Sequence, residues 1–153
     1  MKASYETDVV AWANEQAALI RGGHLDQLDL EHLAEEVEAM SAKEKRELRN
    51  RLAVLLQHLL KWQFQPTRRS DSWTTTMFEQ RLNIHDILED SPSLNGVLES
   101  RLDSSYRLAV SQAASETGIS WHVFPKTCPY TLAKALENGW LPDELKSDVP
   151  NAD

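Results

Sequence analysis

The chain is poor in the residues that mark secreted and membrane proteins. It holds one cysteine, Cys128, so no disulfide can form within the chain, which agrees with a reducing compartment. The longest unbroken apolar run, 52–56, is far too short to span a membrane. The first residues, MKASYETD, lack the apolar stretch of a secretory signal. These absences make the cytoplasm the default location and disfavour contact with a membrane.

Glycine and proline are also scarce, at five and six of 153 residues, and no run alternates apolar and polar residues as a strand would. Hydrophobic residues make up 41% of the chain, which is an ordinary globular composition with enough apolar material for a core. The sequence therefore predicts an all-α fold: one domain over residues 1–145, with about five helices around a long central helix. An irregular strap and a short terminal helix follow, and a frayed tail occupies residues 146–153.

Catalytic motifs are missing as well. There is no GxSxG elbow, phosphate-binding loop or dinucleotide glycine pattern, and the five histidines never form HxxxH or Glu-x-x-His pairs. Cys128 precedes Pro129 without activating neighbours, so a packed thiol is a better interpretation than a nucleophile. We expect no metal, no cofactor and no catalytic residue that the sequence could name.

What the sequence does contain is a strongly apolar helix before Pro66. Its leucines recur at alternating steps of four and three, as in an amphipathic helix, and its apolar arc spans roughly 200°. Ser41 and Glu44 are spaced as a capping box and predict its start, and Pro66 predicts its end. The predicted core residues of this helix are Leu48, Leu52, Ala53, Leu55, Leu56, Leu59, Leu60, Trp62 and Phe64.

The other predicted helices lie on both sides of it. Helix 1 covers about 6–21, with Val9 and Ile20 on its inner face, and helix 2 begins after Asp29 as N-cap with an apolar stripe over 30–40. Helix 4 starts near Ser72 and ends before residue 91. Helix 5 covers about 93–117, where small residues would let another backbone approach closely, and Gly118 ends it. Residues 132–138 form the short terminal helix.

The charge is segregated along the chain. The net charge of −8 divides into −7 for residues 1–40, +5 for 41–85 and −6 for 86–153. Two interpretations are open: the acidic segments screen a basic helix within the molecule, or the basic segment binds nucleic acid or another polyanion. The overall acidity disfavours nucleic acid.

One candidate binding site follows from these elements. His58 and Lys61 lie at the margin of the central helix's apolar face, and polar groups there need partners, for which Glu36 and Glu38 are the nearest supply in the sequence. The turn after Pro66 brings arginines to the start of the next helix, where free N–H groups favour an anion. The candidate residues are Glu36, His58, Lys61, Arg68, Arg69 and Ser72.

A structural role for the same residues is the alternative. A histidine at the margin of a core is usually a packed, hydrogen-bonded side chain. Arg68 or Arg69 could pair with helix 2 acids or cap the last carbonyls of the central helix, because ion-pair networks are common without function. The sequence alone leaves both interpretations open.

Several stretches resemble a bacterial family, domain-of-unknown-function family 29. They are YETD with Trp12, LDLEHLAEEVEAM, RLAVLLQHLLKWQFQPTRRSDSW, LEDSPSL, ASETG and FPKTCPYT, which run from near residue 5 to near residue 142. The resemblance implies a helical fold and no established activity. Its polar motif positions include Glu35, Glu36, His58, Lys61, Arg69 and Ser72. The stretch Thr74–Thr76 departs from the more basic helix start of the family.

The function expected from these observations is that of a non-catalytic helical protein that acts through protein contacts, by self-association or with a partner. Five tryptophans and segregated charge support this expectation. The alternative is binding of a small anion or a phosphoester at the candidate site. A weaker alternative is nucleic-acid binding through the basic segment.

Overall fold

The computed structural model describes residues 3–143, and every regular element in that range is helical. The α-helices are α1 (Val9–Arg21), α2 (Leu30–Phe64), α3 (Asp71–Asp90), α4 (Leu94–Ser100), α5 (Leu102–Thr117) and α6 (Leu132–Leu136). Single 3-10 turns occur at Leu25–Gln27, Pro66–Arg68 and Trp121–Val123. The prediction of an all-α fold with a long central helix is confirmed. The predicted frayed tail lies outside the described residues.

The chain divides into two compact units, the first up to Lys43 and the second from Glu44. We call these the first unit and the second unit. The first contains α1 and the beginning of α2, and the second contains the rest of α2 and all later elements. The single domain over residues 1–145 stays a prediction.

The predicted break at Ser41 is wrong. Helices 2 and 3 of the sequence prediction are one helix of 35 residues, α2, with Ser41 and Glu44 in its interior. No glycine or proline occurs between Leu30 and Phe64, and the residues around Ser41 are mostly good helix formers, so the helix continues through a serine that could have capped it. A capping box satisfies N–H groups only where the chain first enters a helix.

The leucine face of α2 forms the core of the second unit, as predicted. Leu55 and Leu59 have no exposed surface. At most 1% of the surface is exposed for the other residues of this face, Leu48, Leu52, Ala53, Leu56 and Leu60. Met77 and Ile84 of α3 and Tyr106, Ala109 and Ala113 of α5 pack against these leucines, while Trp62, Phe64, Trp73, Ile87 and Leu88 are partly buried at the edge of this core. Each fully buried leucine contributes about 2 kcal/mol, so this face dominates the stability of the second unit.

Three helix boundaries differ from the prediction. The predicted helix 5 is interrupted at Arg101, whose φ of −98° and ψ of 0° end α4 and begin α5. The N-cap of α3 is Ser70 rather than Ser72. Helix α1 begins after Asp8, whose side chain accepts a hydrogen bond from the Ala11 N–H. Asp8 is therefore the cap that the prediction of a start at Glu6 missed.

Other predicted helix details are confirmed. Gly118 ends α5 with a left-handed φ of 73°. Thr131 caps α6 by accepting from the Lys134 N–H. The small residue Ser105 is fully buried, and its hydroxyl donates to the Arg49 carbonyl of α2 at 3.1 Å, so the two helices approach closely there.

The apolar faces of the first unit differ most from the prediction. Leu30, Val37 and Met40, expected to be covered, are 69%, 64% and 70% exposed. On α1, Val9 and Ile20 are also exposed, and the buried positions are Trp12 and Gln16 instead. Periodicity shows that such residues share a face of a helix, but it cannot show that another element covers that face.

After Gly118 the chain crosses the second unit as a segment with little regular structure, residues 119–142, which we call the C-terminal strap. Its backbone carbonyls are bound by side chains of the helices. The buried Arg81 of α3 donates to the Ala135 oxygen at 2.8 Å and to the Trp140 oxygen at 2.7 Å. His85, one turn later on α3, contacts the Leu136 oxygen at 3.1 Å. Arg81 is therefore the main polar attachment of α6 and of the chain that follows it.

We expect Arg81→Met to lower the free energy of unfolding by about 3 kcal/mol, because it removes two hydrogen bonds from a charged donor and leaves two carbonyls without that donor. Urea unfolding followed by circular dichroism measures the change. The matched control is Arg101→Met at an exposed position, which should change the stability by less than about 0.5 kcal/mol. Equal effects of the two substitutions would contradict the role assigned to Arg81.

Candidate functional site

His58 lies on α2, partly buried beside the leucine face. Its Nδ1 is 2.8 Å from the Val54 carbonyl oxygen, and since a carbonyl can only accept, this nitrogen carries the hydrogen and Nε2 is the acceptor. Burial lowers the pKa of His58, and the nearby Lys61 lowers it further, so the imidazole is neutral at pH 7. His58 is therefore a packed histidine whose Nδ1 is bound to the backbone and whose Nε2 is a hydrogen-bond acceptor.

Lys61 has two partners. Its ammonium forms an ion pair with Glu116 of α5 at 2.8 Å and lies 4.7 Å from the centre of the Trp73 ring. The Lys61 side chain is only 11% exposed. The hydrogen bond from Lys61 lowers the pKa of Glu116. The charge of Lys61 is therefore largely compensated within the second unit.

The two arginines of the turn after Pro66 differ in their surroundings. Arg69 donates from Nε to the Trp62 carbonyl oxygen at 2.9 Å, and its guanidinium lies 4.7 Å from the centre of the Trp62 ring. It thus caps a carbonyl in the last turn of α2, which is the structural alternative stated above. Arg68 is exposed. Ser72 lies in the first turn of α3, where its hydroxyl is 2.9 Å from that of Ser70.

The predicted carboxylate partners are replaced by others. In the second unit, Arg51 pairs with Glu47, one turn earlier, at 3.0 Å and donates to Gln80 at 3.4 Å. Glu36 belongs to the first unit, where its carboxylate accepts a hydrogen bond of 2.6 Å from the Tyr5 hydroxyl. The Glu36 carboxylate therefore has a partner, Tyr5, that the sequence analysis did not expect.

The first unit contains a polar and aromatic network that sequence analysis missed, and Asp29 is at its centre. The Asp29 carboxylate accepts from Trp12 Nε1 at 3.0 Å and from His32 Nδ1 at 2.7 Å. Its other oxygen is 3.4 Å from the His32 N–H, as the predicted N-cap requires. The Tyr5 ring stacks on His32, with 4.1 Å between ring centres. We call Tyr5, Trp12, Asp29, His32 and Glu36 the Asp29 network.

A sequence signal for part of this network exists. Asp29 and His32 are three residues apart at a helix start, where an N-cap carboxylate and a first-turn side chain meet. The contacts with Tyr5 and Trp12 carry no such signal, because they depend on how α1 packs against α2. The side chain of Gln16 completes the contact by accepting from the Asp29 N–H at 2.8 Å.

The surroundings of Cys128 and of the possible metal ligands can be stated for the described residues. Burial raises the pKa of Cys128, and its sulfur is 3.4 Å from the Tyr130 carbonyl, so the thiol is protonated at neutral pH. Within residues 3–143, no three His, Cys, Asp or Glu side chains are grouped so that they could hold a metal ion. In the same range, no helix is both long and apolar enough to cross a membrane.

The fold and these contacts define a small all-helical protein organised around one long helix. The chain matches the family model described as Domain of unknown function DUF29 over residues 4–141, nearly its whole length, and it belongs to that family. No curated protein and no solved structure matches it. The resemblance stated from the motifs is confirmed, and the family description names no activity.

The Asp29–His32 contact predicts a pH dependence. The hydrogen bond to Asp29 raises the pKa of His32 above its ordinary 6.5, and the same bond lowers the pKa of Asp29 below 3.8. The contribution of His32 to the free energy of unfolding is complete below pH 6.5 and is lost as the pH rises through the pKa of His32 in the folded protein. The contribution of Asp29 to the free energy of unfolding is complete above its ordinary pKa and is lost as the pH falls through the pKa of Asp29 in the folded protein. Both are complete between about pH 4 and 6.5.

Nuclear magnetic resonance titration of the His32 ring measures the pKa of His32. We expect a pKa above 6.5 in the native protein and a return toward 6.5 in Asp29→Asn, with the helix content of the protein by circular dichroism unchanged. The matched control is Asp26→Asn, which removes a neighbouring exposed carboxylate and should leave the His32 titration unchanged. A native pKa at or below the ordinary value would disprove the assigned contact.

Proposed function

We propose that this protein is a non-catalytic interaction protein and that its first unit binds a partner protein through an exposed apolar stripe. The partner presents an amphipathic helix with basic residues at its edges. The observation that supports this proposal is the concentration of exposed apolar side chains in the first unit.

Exposed apolar residues are unevenly distributed. Of the eleven large hydrophobic residues exposed in the described part of the chain, seven lie in the first unit: Val9, Val10, Ile20, Leu25, Leu30, Val37 and Met40. The one hydrophobic residue buried there, within residues 3–43, is Trp12. Clusters of exposed apolar residues on a small domain commonly mark a surface that binds another protein. The second unit, in contrast, covers most of its apolar residues.

The exposed residues of α2 form one stripe. Leu30, Val37 and Met40 are spaced by seven and three residues, which puts them on one face of a helix over a length of about 15 Å. We call these three residues the α2 stripe. A stripe with this spacing suits helix-on-helix packing, in which anchor residues of a partner helix pack at matching intervals.

The net charge of the first unit selects the kind of partner. Glu31, Glu35 and Glu38 are exposed on the same stretch of helix. Residues 1–40 carry a net charge of −7. Two copies joined through this stripe would bring two such segments together and repel one another, whereas a basic helix would be attracted. This argument favours a basic partner over a second copy.

The alternatives have weaker support. An anion site at the candidate residues would need free cations, but Lys61 pairs with Glu116 and Arg69 caps a carbonyl of α2. Nucleic-acid binding would use cations of the basic segment; Arg81 is buried and Arg51 is paired with Glu47, so these two contribute little to such a surface. These contacts agree better with charge compensation within the molecule.

The test uses a designed helical peptide of about 18 leucine and lysine residues, long enough to form a helix on binding. We expect fluorescence anisotropy to show saturable binding, and Val37→Glu to weaken it about tenfold, because a charge replaces an apolar contact. The matched control is Leu82→Glu, at an exposed leucine of α3 that is 49% exposed, and it should leave binding unchanged. A leucine and glutamate peptide of equal length should bind more weakly than the lysine peptide.

Three outcomes would count against the proposal. They are the absence of binding, equal binding of the lysine and glutamate peptides, and equal effects of Val37→Glu and Leu82→Glu. A dimer in sedimentation that Val37→Glu dissociates would show that a second copy, rather than a basic partner, occupies the α2 stripe.

A further inference from the structure

A cavity of about 750 Å³ lies in the second unit between α5 and the C-terminal strap. Its α5 wall is formed by one helical face that includes Arg107, Val110 and Ser111. Its strap wall is formed by Trp121, Phe124 and their neighbours. The volume falls within the range of sites that bind small organic molecules. None of the candidate residues discussed above lines it.

The inner wall of the cavity is fixed by buried aromatic residues. Tyr106 is 2% exposed, and its hydroxyl donates a hydrogen bond to the Pro125 carbonyl of the strap. Burial raises the pKa of Tyr106 to about 12, so this hydroxyl remains a donor at neutral pH. Phe124 is 4% exposed and packs against Phe64, with 4.9 Å between ring centres. Strap and helix are thus joined behind the cavity.

The outer part of the cavity combines an aromatic surface with positive charge. Trp121 is 62% exposed and stacks on His122, with 3.6 Å between ring centres. Arg107 and Lys126 are exposed side chains of the lining, and among the described residues neither forms an ion pair or a side-chain hydrogen bond. No lining residue is acidic. Two uncompensated cations beside an apolar wall favour a ligand with one anionic end.

We propose that this cavity binds a small amphipathic anion, with an aromatic or other apolar body and one carboxylate or chemically similar head group. The body packs on Val110, Phe124 and the face of Trp121. The head group is bound by Arg107 and Lys126. This site is independent of the α2 stripe, because all of its residues lie in the second unit.

The probe is anilinonaphthalene sulfonate, a fluorescent molecule with an apolar aromatic body and one anionic group. Its matched partner is N-phenylnaphthylamine, which has the same rings and no charge. We expect saturable binding of the sulfonate with one site per chain, and binding of the uncharged compound that is about fivefold weaker, since exposed charge contacts are modest. Added salt should reduce this difference.

Substitutions locate the site. The double variant Arg107→Gln with Lys126→Gln should weaken sulfonate binding about fivefold and leave the uncharged compound unaffected. Ser111→Trp places an indole in the α5 wall of the cavity and should weaken the binding of both compounds, because it takes part of the space that the apolar body occupies. The matched control, Arg101→Gln with Lys134→Gln, removes two exposed cations of the second unit that do not line the cavity. It should change neither affinity.

Near-ultraviolet circular dichroism of each variant shows that the tertiary packing is retained, so that dye binding to a loosely packed state is distinguished from binding to the cavity. The proposal is overturned if sulfonate binding does not saturate, if both compounds bind equally well, or if Ser111→Trp leaves both affinities unchanged. It is also overturned if the control variant weakens sulfonate binding as much as the Arg107 and Lys126 substitutions do.

Discussion

Burial of the leucine face of α2 is the interaction on which the second unit depends. This face is too wide for one neighbouring helix to cover, and the structure covers it with α3, α5 and residues of the C-terminal strap. Several separate elements are therefore held in place by a single helix. The polar residues at its margin, His58 and Lys61, are fixed by the same packing, because the residues beside them are fully buried.

An irregular segment can pack against such a core only if its backbone polar groups find partners. The strap meets this requirement through side chains of the elements below it. Arg81 binds two of its carbonyls, and Tyr106 binds a third. Tyr130, itself in the strap, donates in the opposite direction to Gln63 of α2 at 2.7 Å. These long-range hydrogen bonds take the place of the regular ladder that a helix or strand would provide, and they shape the cavity beside α5.

The sequence predicts the leucine face of α2 well, because its period is a local property and its width shows that it must be buried. It predicts the break at Ser41 wrongly, since a capping motif inside a good helix-forming stretch has the same local pattern as a true helix start. The roles of Lys61 and Arg81 could not be predicted in this way. Their partners, Glu116 and Ala135, are more than fifty residues away, and nothing in the local pattern identifies them.

The candidate site illustrates the same limit. The sequence marks Arg69 as a candidate residue and leaves two interpretations of its role open, anion binding and capping of the central helix. The distance from Nε to the Trp62 oxygen favours the capping role.

The exposure of a side chain is still harder to predict from the sequence than its contacts. The spacing of Leu30, Val37 and Met40 is that of a buried stripe, and only the positions of the surrounding elements show that it is uncovered.

The two units thus use their residues in different ways. The second unit buries its apolar residues and pairs many of its charges internally. In the first unit, the Asp29 network attaches α1 to the start of α2 through hydrogen bonds and stacked rings, and Trp12 is the one buried hydrophobic residue of residues 3–43. Because α1 and the start of α2 are held together by these polar and ring contacts, many apolar side chains of both helices remain at the surface. A unit of this size gains little stability from so small a core, and an external apolar surface would add what the core lacks. This is the physical argument for the proposal that the first unit binds a partner protein.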